Sequence, residues 1–311
     1  MDISTPLDPS NLFSAKGLVA VITGGGGGIG LALAATVYRS GAHKVYILGR
    51  RREVLQSSAQ SLDATGSIVI PLQCDITSSS SIAEAAKAID QDVGYVDVLI
   101  NNAGIVGPDH RPANDAATIA ELQAVLQTGG EDDWARTFAT NTTAIVTATA
   151  AFLPLLDAAN QRRGWEAGKK PEGRRRDTAA GEKNGVDSDD ERRSQIISVT
   201  SIAAFNRGIT AGLAYNASKA GATSLGKALA TLLGPYGIRS NIIAPGIYPS
   251  DMNTEAKDKF FPANKIPASR AGDFNDIAGV TLYLVGKAGA YVDGTVMLSD
   301  GGRLGTFPAT Y

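Results

Sequence analysis

Apolar positions fall into two alternating patterns along the chain. Short runs of four to six apolar residues are separated by longer stretches in which apolar residues recur every three or four positions. The short runs predict strands at Leu18–Ile22, Lys44–Leu48, Ile68–Gln73, Val96–Ile100, Gln195–Val199, Arg239–Ile243 and Thr295–Leu298. The periodic stretches predict helices at Ile29–Ser40, Val54–Asp63, Ser78–Gln91, Trp134–Asp157 and Leu213–Leu233, with Gly41 just past the first. Strands alternating with helices imply an α/β fold: a doubly wound parallel sheet of Rossmann type, three layers deep. In such a sheet the ligand crevice lies at the carboxyl ends of the strands.

Two segments break the rhythm. Gln161–Arg193 is dense in charge and glycine, with Trp165 almost its only large apolar residue. Such a composition has little to bury against its ordering entropy, which predicts a mobile surface loop within one domain spanning 1–311. Gly107–Asp133 carries Ile119, Leu122 and Leu126 at helical spacing, which predicts a short amphipathic helix that packs on the body or forms a flap near a substrate.

Composition narrows the function. A net charge of −2 gives no reason to expect nucleic acid or an anionic membrane as partner. No uninterrupted apolar run reaches about 20 residues, so no spanning helix is expected. Met1–Ala15 lacks a basic start and an apolar stretch, so no secretory signal is read there and a cytoplasmic protein is the default. The single cysteine, Cys74, allows no internal disulfide and is expected to be buried in a strand. Two histidines and one cysteine, far apart in sequence, argue against a His/Cys metal site.

The candidate chemistry sits where predicted strands end. Thr23-Gly24-Gly25-Gly26-Gly27-Gly28-Ile29-Gly30 follows the first strand and opens a helix, the context in which a dinucleotide pyrophosphate meets helix N–H groups. Gly49-Arg50-Arg51 follows the second strand. A carboxylate there would bind the 2′-hydroxyl of NAD; an arginine suits a 2′-phosphate, so NADP(H) is expected over NAD(H). Tyr215 and Lys219 stand one helical turn apart. An ammonium beside a phenol favours the phenolate, so proton exchange near neutral pH is expected.

These residues resemble the short-chain dehydrogenase/reductase superfamily, in its one-domain branch, from about Leu18 to Gly302. Thr23, Gly24, Gly28, Ile29 and Gly30 look like its cofactor turn, and Asp75-Ile76 like its adenine contact. Asn101-Asn102-Ala103-Gly104 is similar to the motif beside the central strand. Asn141, Ser201, Tyr215 and Lys219 match its catalytic positions. Asn241–Met252, with Pro245, Gly246, Tyr248 and Ser250, resembles the stretch over the nicotinamide, and Asp300-Gly301-Gly302 the closing strand motif. Gly27 stands where many NADP-dependent members carry a basic residue.

The resemblance implies oxidoreductase chemistry between a ketone and a secondary alcohol. Tyr215 would be the acid or base, Ser201 would hold the substrate oxygen, Lys219 would lower the tyrosine pKa and hold the ribose, and Asn141 would anchor a water behind Lys219. A cofactor-binding protein with a non-redox role is the competing reading. Ile202, Phe205, Asn206, Tyr248 and the 107–133 segment are the candidate pocket residues, suited to a small or medium-sized compound such as a secondary metabolite. A homodimer or homotetramer is expected, partly from the resemblance and partly because Ala144–Leu156 and Ala217–Leu233 are nearly free of charge.

Overall fold

In β1 (Val19–Thr23) of the computed structural model, Ala20 and Ile22 face one side of the sheet, and Val19 and Val21 the other. The same alternation runs through β2 (Lys44–Gly49), β4 (Val98–Asn101) and β5 (Gln195–Val199), so each strand is apolar on both faces. With β3 (Val69–Gln73), β6 (Arg239–Pro245) and β7 (Val296–Ser299) they form one seven-stranded sheet in the order β3-β2-β1-β4-β5-β6-β7. Every neighbouring pair is parallel. A parallel sheet needs cover on both faces, which is why its strands read as unbroken apolar runs. The structure describes residues 7–250 and 260–310. Part of the N-terminal leader reading (residues 1–6) and the end of the nicotinamide stretch, Asp251-Met252, lie outside them.

The helices divide between two cores. A short α1 (Pro9–Leu12) precedes the sheet, and α2 (Gly28–Arg39), α3 (Arg52–Leu62) and α10 (Phe274–Val285) pack one face through Leu33, Val37, Leu55, Ile277 and Leu284. The other face is covered by α4 (Ser79–Asp92), α7 (Ala144–Arg162) and α9 (Leu213–Leu233) through Ile82, Ile89, Phe152, Leu156 and Leu229. The helix α10 was not among the predicted elements; Asp273 starts it with a capping box to Asp276.

Three expectations change. The long helix expected from Trp134 to Asp157 is three pieces: α6 (Glu131–Phe138), a π-helical turn at Ala139–Thr143, and α7. Together they form a stretch, Glu131–Arg162, long and apolar enough by length and composition to cross a bilayer, which a count of uninterrupted apolar residues missed. Here it lies on the sheet, with Phe152 and Leu156 fully buried. The helix expected in 107–133 forms as α5 (Ile119–Leu126), closed by a Thr118–Glu121 capping box, yet none of its residues is buried and Ile119 is exposed.

The 161–193 segment, expected as a mobile surface loop, lies mostly at the surface but is anchored through a few buried residues. Arg163 is buried and donates through Nε and Nη2 to Asp97 Oδ1 at 3.0 and 2.9 Å, and through Nη1 to Asp190 at 2.6 Å. Buried Arg192 makes a two-pronged pair with Asp190 and donates to the carbonyls of Ser14 and Lys16. Trp165 is buried beneath the guanidinium of Arg193, 4.4 Å from its ring centroid. A helix, α8 (Thr178–Lys183), sits within the segment. Charge density misled the composition argument because these charges are paired with one another under the surface.

Candidate active site

The cofactor-type turn is built by close backbone approach. Gly24 and Gly28 hold positive φ angles of 67° and 51°, a region side-chain-bearing residues rarely adopt. A Cβ on Gly30 would stand 2.2 Å from the Gly24 carbonyl oxygen, so α2 can start this close to β1 only with glycine there. The first N–H groups of α2 have no side-chain cap and open on the crevice. Thr23 fixes the neighbouring strand: its hydroxyl accepts from Asn102 N at 3.0 Å and Ala103 N at 3.1 Å. The Asn102 amide donates to the Thr23 carbonyl at 3.0 Å, locking the glycine turn to the end of β4.

One cavity of about 580 Å3 runs along the carboxyl ends of the strands. Its wall includes Gly24, Gly28, Ile29 and Gly30 from the turn, and Arg50, Asp75 and Ile76 after β2 and β3. Asn102, Ala103 and Gly104 line it after β4, as do Ser201, Tyr215 and Lys219, and Pro245, Gly246, Tyr248 and Ser250 beyond β6. Thr23 and Asn141 stand just behind the wall and are buried. Asp75 is held below the usual carboxylate range by N–H and hydroxyl donation from Thr77, with Arg50 adding to the effect. Cys74 is buried immediately after β3 rather than within it, and burial raises its thiol pKa.

Around Tyr215 and Lys219 the structure is specific. Lys219 is buried, donates from Nζ to the Val199 carbonyl at 3.0 Å, and lies 5.8 Å from the Tyr215 ring centroid. Burial pushes its ammonium down to about 8. Burial holds Tyr215 above the usual phenol value, opposed by hydrogen bonding with Ser201. The expected lowering of Tyr215 by Lys219 is therefore not what the chain's own groups produce: desolvation dominates. Ser201 leaves β5 in extended conformation and its Oγ accepts from Ala203 N at 3.1 Å, capping a short 3-10 turn.

Asn141 sits in the π-helical turn between α6 and α7. Its Oδ1 accepts from Ile105 N at 2.8 Å, while Nδ2 donates to the Ile105 carbonyl at 2.8 Å and to Ser218 Oγ at 3.0 Å. A Cβ on Gly104 would lie 3.0 Å from Asn141 Oδ1 and 3.3 Å from Lys219 Nζ. A side chain there would crowd both groups, so only glycine lets the chain pass this close to them. These features fit a nicotinamide dinucleotide: a helix N-terminus free for phosphates, carboxylate and arginines at the second and third strand ends, and a buried lysine on the cavity wall.

Of the expected pocket residues, Ile202 and Tyr248 reach the cavity; Phe205 and Asn206 do not line it. The Tyr248 hydroxyl is engaged with Ser299 Oγ at 2.5 Å, and its ring lies where a Gly272 side chain would be. The expected 107–133 segment contributes Asp109 and Arg111 to the wall, which also holds Thr210, Ala211 and Arg303, not singled out in the sequence. Asp109 and Arg111 pair with each other, Nη2 to Oδ2 at 2.7 Å. Their segment is joined to the Ser201–Tyr215 loop by His110 N donating to the Ala211 carbonyl at 3.3 Å.

This fold and crevice are those of a nicotinamide-dependent oxidoreductase class, and comparison with known proteins names the family. Residues 18–165 match the short chain dehydrogenase family, and residues 188–303 match a family described as enoyl-(acyl carrier protein) reductase. The chain belongs to the short-chain dehydrogenase/reductases. It is 40% identical over 316 residues to short-chain dehydrogenase/reductase PhomF of Diaporthe leptostromiformis, covering 99% of each chain. It is 40% identical to VdtF of Byssochlamys spectabilis, covering 98% of each. Among solved structures it is similar to the RhlG/NADP active-site complex of Pseudomonas aeruginosa, with 27% identity, a TM-score of 0.74, and coverage of 94% of this chain and 99% of that one.

Proposed function

We propose that this oxidoreductase interconverts a ketone and a secondary alcohol on a small or medium-sized substrate, with NADP(H) as its cofactor. The observation that carries the reading is that Ser201, Tyr215 and Lys219 share one cavity with the glycine turn and Arg50. When bound, the nicotinamide supplies or accepts the hydride. Gly24, Gly28 and Gly30 with the start of α2 hold the pyrophosphate, and Arg50, exposed on the wall, takes the 2′-phosphate. The NADP complex of the similar RhlG structure supports the phosphate reading.

Ser201 holds the substrate oxygen by its hydroxyl, and Tyr215 gives or takes the proton at that oxygen. Because burial raises Tyr215, its neutral hydroxyl is the ready form, which suits donation in the reductive direction. Lys219, on the cavity wall, holds the ribose, and Asn141 fixes the Ile105 backbone that shapes the same wall. The test is NADPH consumption with a panel of aryl and alicyclic ketones, for the unmodified protein and for Tyr215→Phe. Turnover that vanishes in the variant while NADPH binding persists supports the reading. Tight cofactor binding with no turnover of any ketone, or of the alcohols with NADP+, would point to a non-redox role.

A further inference from the structure

The last turn of the described chain puts a guanidinium on the cavity wall that the reaction does not use. Arg303 begins a short 3-10 segment after the Asp300-Gly301-Gly302 motif and lines the same cavity as Ser201 and Tyr215. Its guanidinium carbon lies over the Phe307 ring, 4.6 Å from the centroid, a cation–π contact that uses none of its N–H donors. The nearest acid in sequence, Asp300, is occupied: Oδ1 accepts from Gly302 N at 2.9 Å and Oδ2 from Leu304 N at 2.7 Å. Among the described residues no ion pair or hydrogen bond to the Arg303 side chain is present.

The position of Arg303 along the cavity follows from how the tail is tied down. Arg207 N donates to the Pro308 carbonyl at 2.8 Å, and Thr310 N to the Phe205 carbonyl at 2.9 Å. Asn206 and Ala309 form an isolated antiparallel bridge. The tail is thus stitched to the loop that directly follows Ser201, at the end of the crevice where substrate oxygen would sit, and away from the Arg50 end. Partial burial lowers the Arg303 pKa, with the Asp300 carboxylate acting in the other direction. The other charged pair on the wall, Asp109 with Arg111, is already internally matched.

We propose that Arg303 is a specificity-determining residue that reads a carboxylate on the substrate, so that the enzyme prefers keto or hydroxy compounds bearing an acid group remote from the reacting carbonyl. This rests on the carbonyl–alcohol reading above. A planar guanidinium matches a carboxylate by two parallel hydrogen bonds, which a neutral ester cannot reproduce.

The test uses 4-acetylbenzoate and methyl 4-acetylbenzoate as probes. Binding of each is measured by calorimetry to the full protein saturated with NADP+, a state that cannot reduce them. The acid should bind at least about tenfold more tightly than the ester. Arg303→Met should remove that preference by weakening the acid, and Arg303→Lys should restore part of it. Undetectable acid binding, an ester bound as well as the acid, or a variant that weakens both alike overturns the proposal. So does a fall in NADP+ affinity in Arg303→Met without a change in acid preference, which would put the guanidinium on the cofactor. Reduction of both probes is followed separately with NADPH. Acid preference without reduction would leave Arg303 as proposed and sink the ketone chemistry; reduction without acid preference would do the reverse.

Discussion

A buried lysine and a few charged side chains set most of what this crevice can do. Lys219 titrates at about 8 in the folded protein against 10.5 for the free side chain. Below the folded value both states carry the proton and the native state bears the full burial penalty; above the unfolded value neither does, and the penalty is gone. Between near pH 7 and about pH 9.5, the unmodified protein should gain roughly 2 kcal/mol of stability relative to Lys219→Met, read from denaturant unfolding of both. A gap between the two that stays constant with pH would show that the lysine is not desolvated. The 2′-phosphate contact proposed for Arg50 can be tested directly. Replacing Arg50 with Asp should lose a charge-assisted contact of about 1.5–3 kcal/mol with the 2′-phosphate, weakening NADPH binding about tenfold to a hundredfold and leaving NADH nearly untouched. Fluorescence titration of both cofactors checks it, and equal weakening of the two would remove Arg50 from that role. The Tyr215–Lys219 pair and the glycine turn could be picked out because each is a pattern within a few positions. Arg303 could not, since it reaches the wall from almost two hundred positions beyond Asp109 and Arg111 of the 107–133 segment, and no local pattern marks it.

At the level of elements, the strands were readable because a sheet buried on both faces writes continuous apolar runs, and β1 to β7 fall within a residue or two of where those runs stand. The helix across Ala139–Thr143 was legible as a helix but not as a broken one. A π-helical turn inserts an extra residue without disturbing apolar periodicity enough to show, yet here it holds Asn141, whose side chain reaches both Ile105 and Ser218. The buried anchors of the 161–193 segment were missed for a different reason: composition counts charges but cannot tell paired from solvated ones. Asp97 accepts from the first N–H of β1, Val19, at 2.8 Å and from Arg163, so the segment holds down the start of the central strand. Arg163→Met should therefore cost about 3–5 kcal/mol, because Asp97 is left with an unmatched buried charge and Asp190 keeps only Arg192. Thermal unfolding of the variant checks this; a midpoint close to that of the unmodified protein would mean the network is solvated after all.

For the whole molecule, the apolar helices leave an uncovered strip. On α7 the exposed positions include Val146, Ala150 and Pro154, and on α9 they include Ala217, Ala220 and Ser224, all small or apolar. The 161–193 segment does not cover them: it meets the far end of α9, where Lys170 N donates to the Pro235 carbonyl. We expect a second copy to pair this strip in solution, giving a symmetric dimer or tetramer. Light scattering at micromolar concentration tests it, and a mass that stays at 32.1 kDa on dilution and concentration alike would refute it. The Asp97–Arg163–Asp190 cluster also sets an order on the newborn chain. As the protein leaves the ribosome, β1, β2 and β4 are available to pair long before their charged clasp can close. Asp97 must wait for Arg163 and then Asp190 to emerge, so the first half of the sheet stays an unfinished, ionised edge until more than half of the chain is out. Nascent chains halted after residue 160 should be cut readily by protease within the first hundred residues, and those halted beyond the clasp should resist it there.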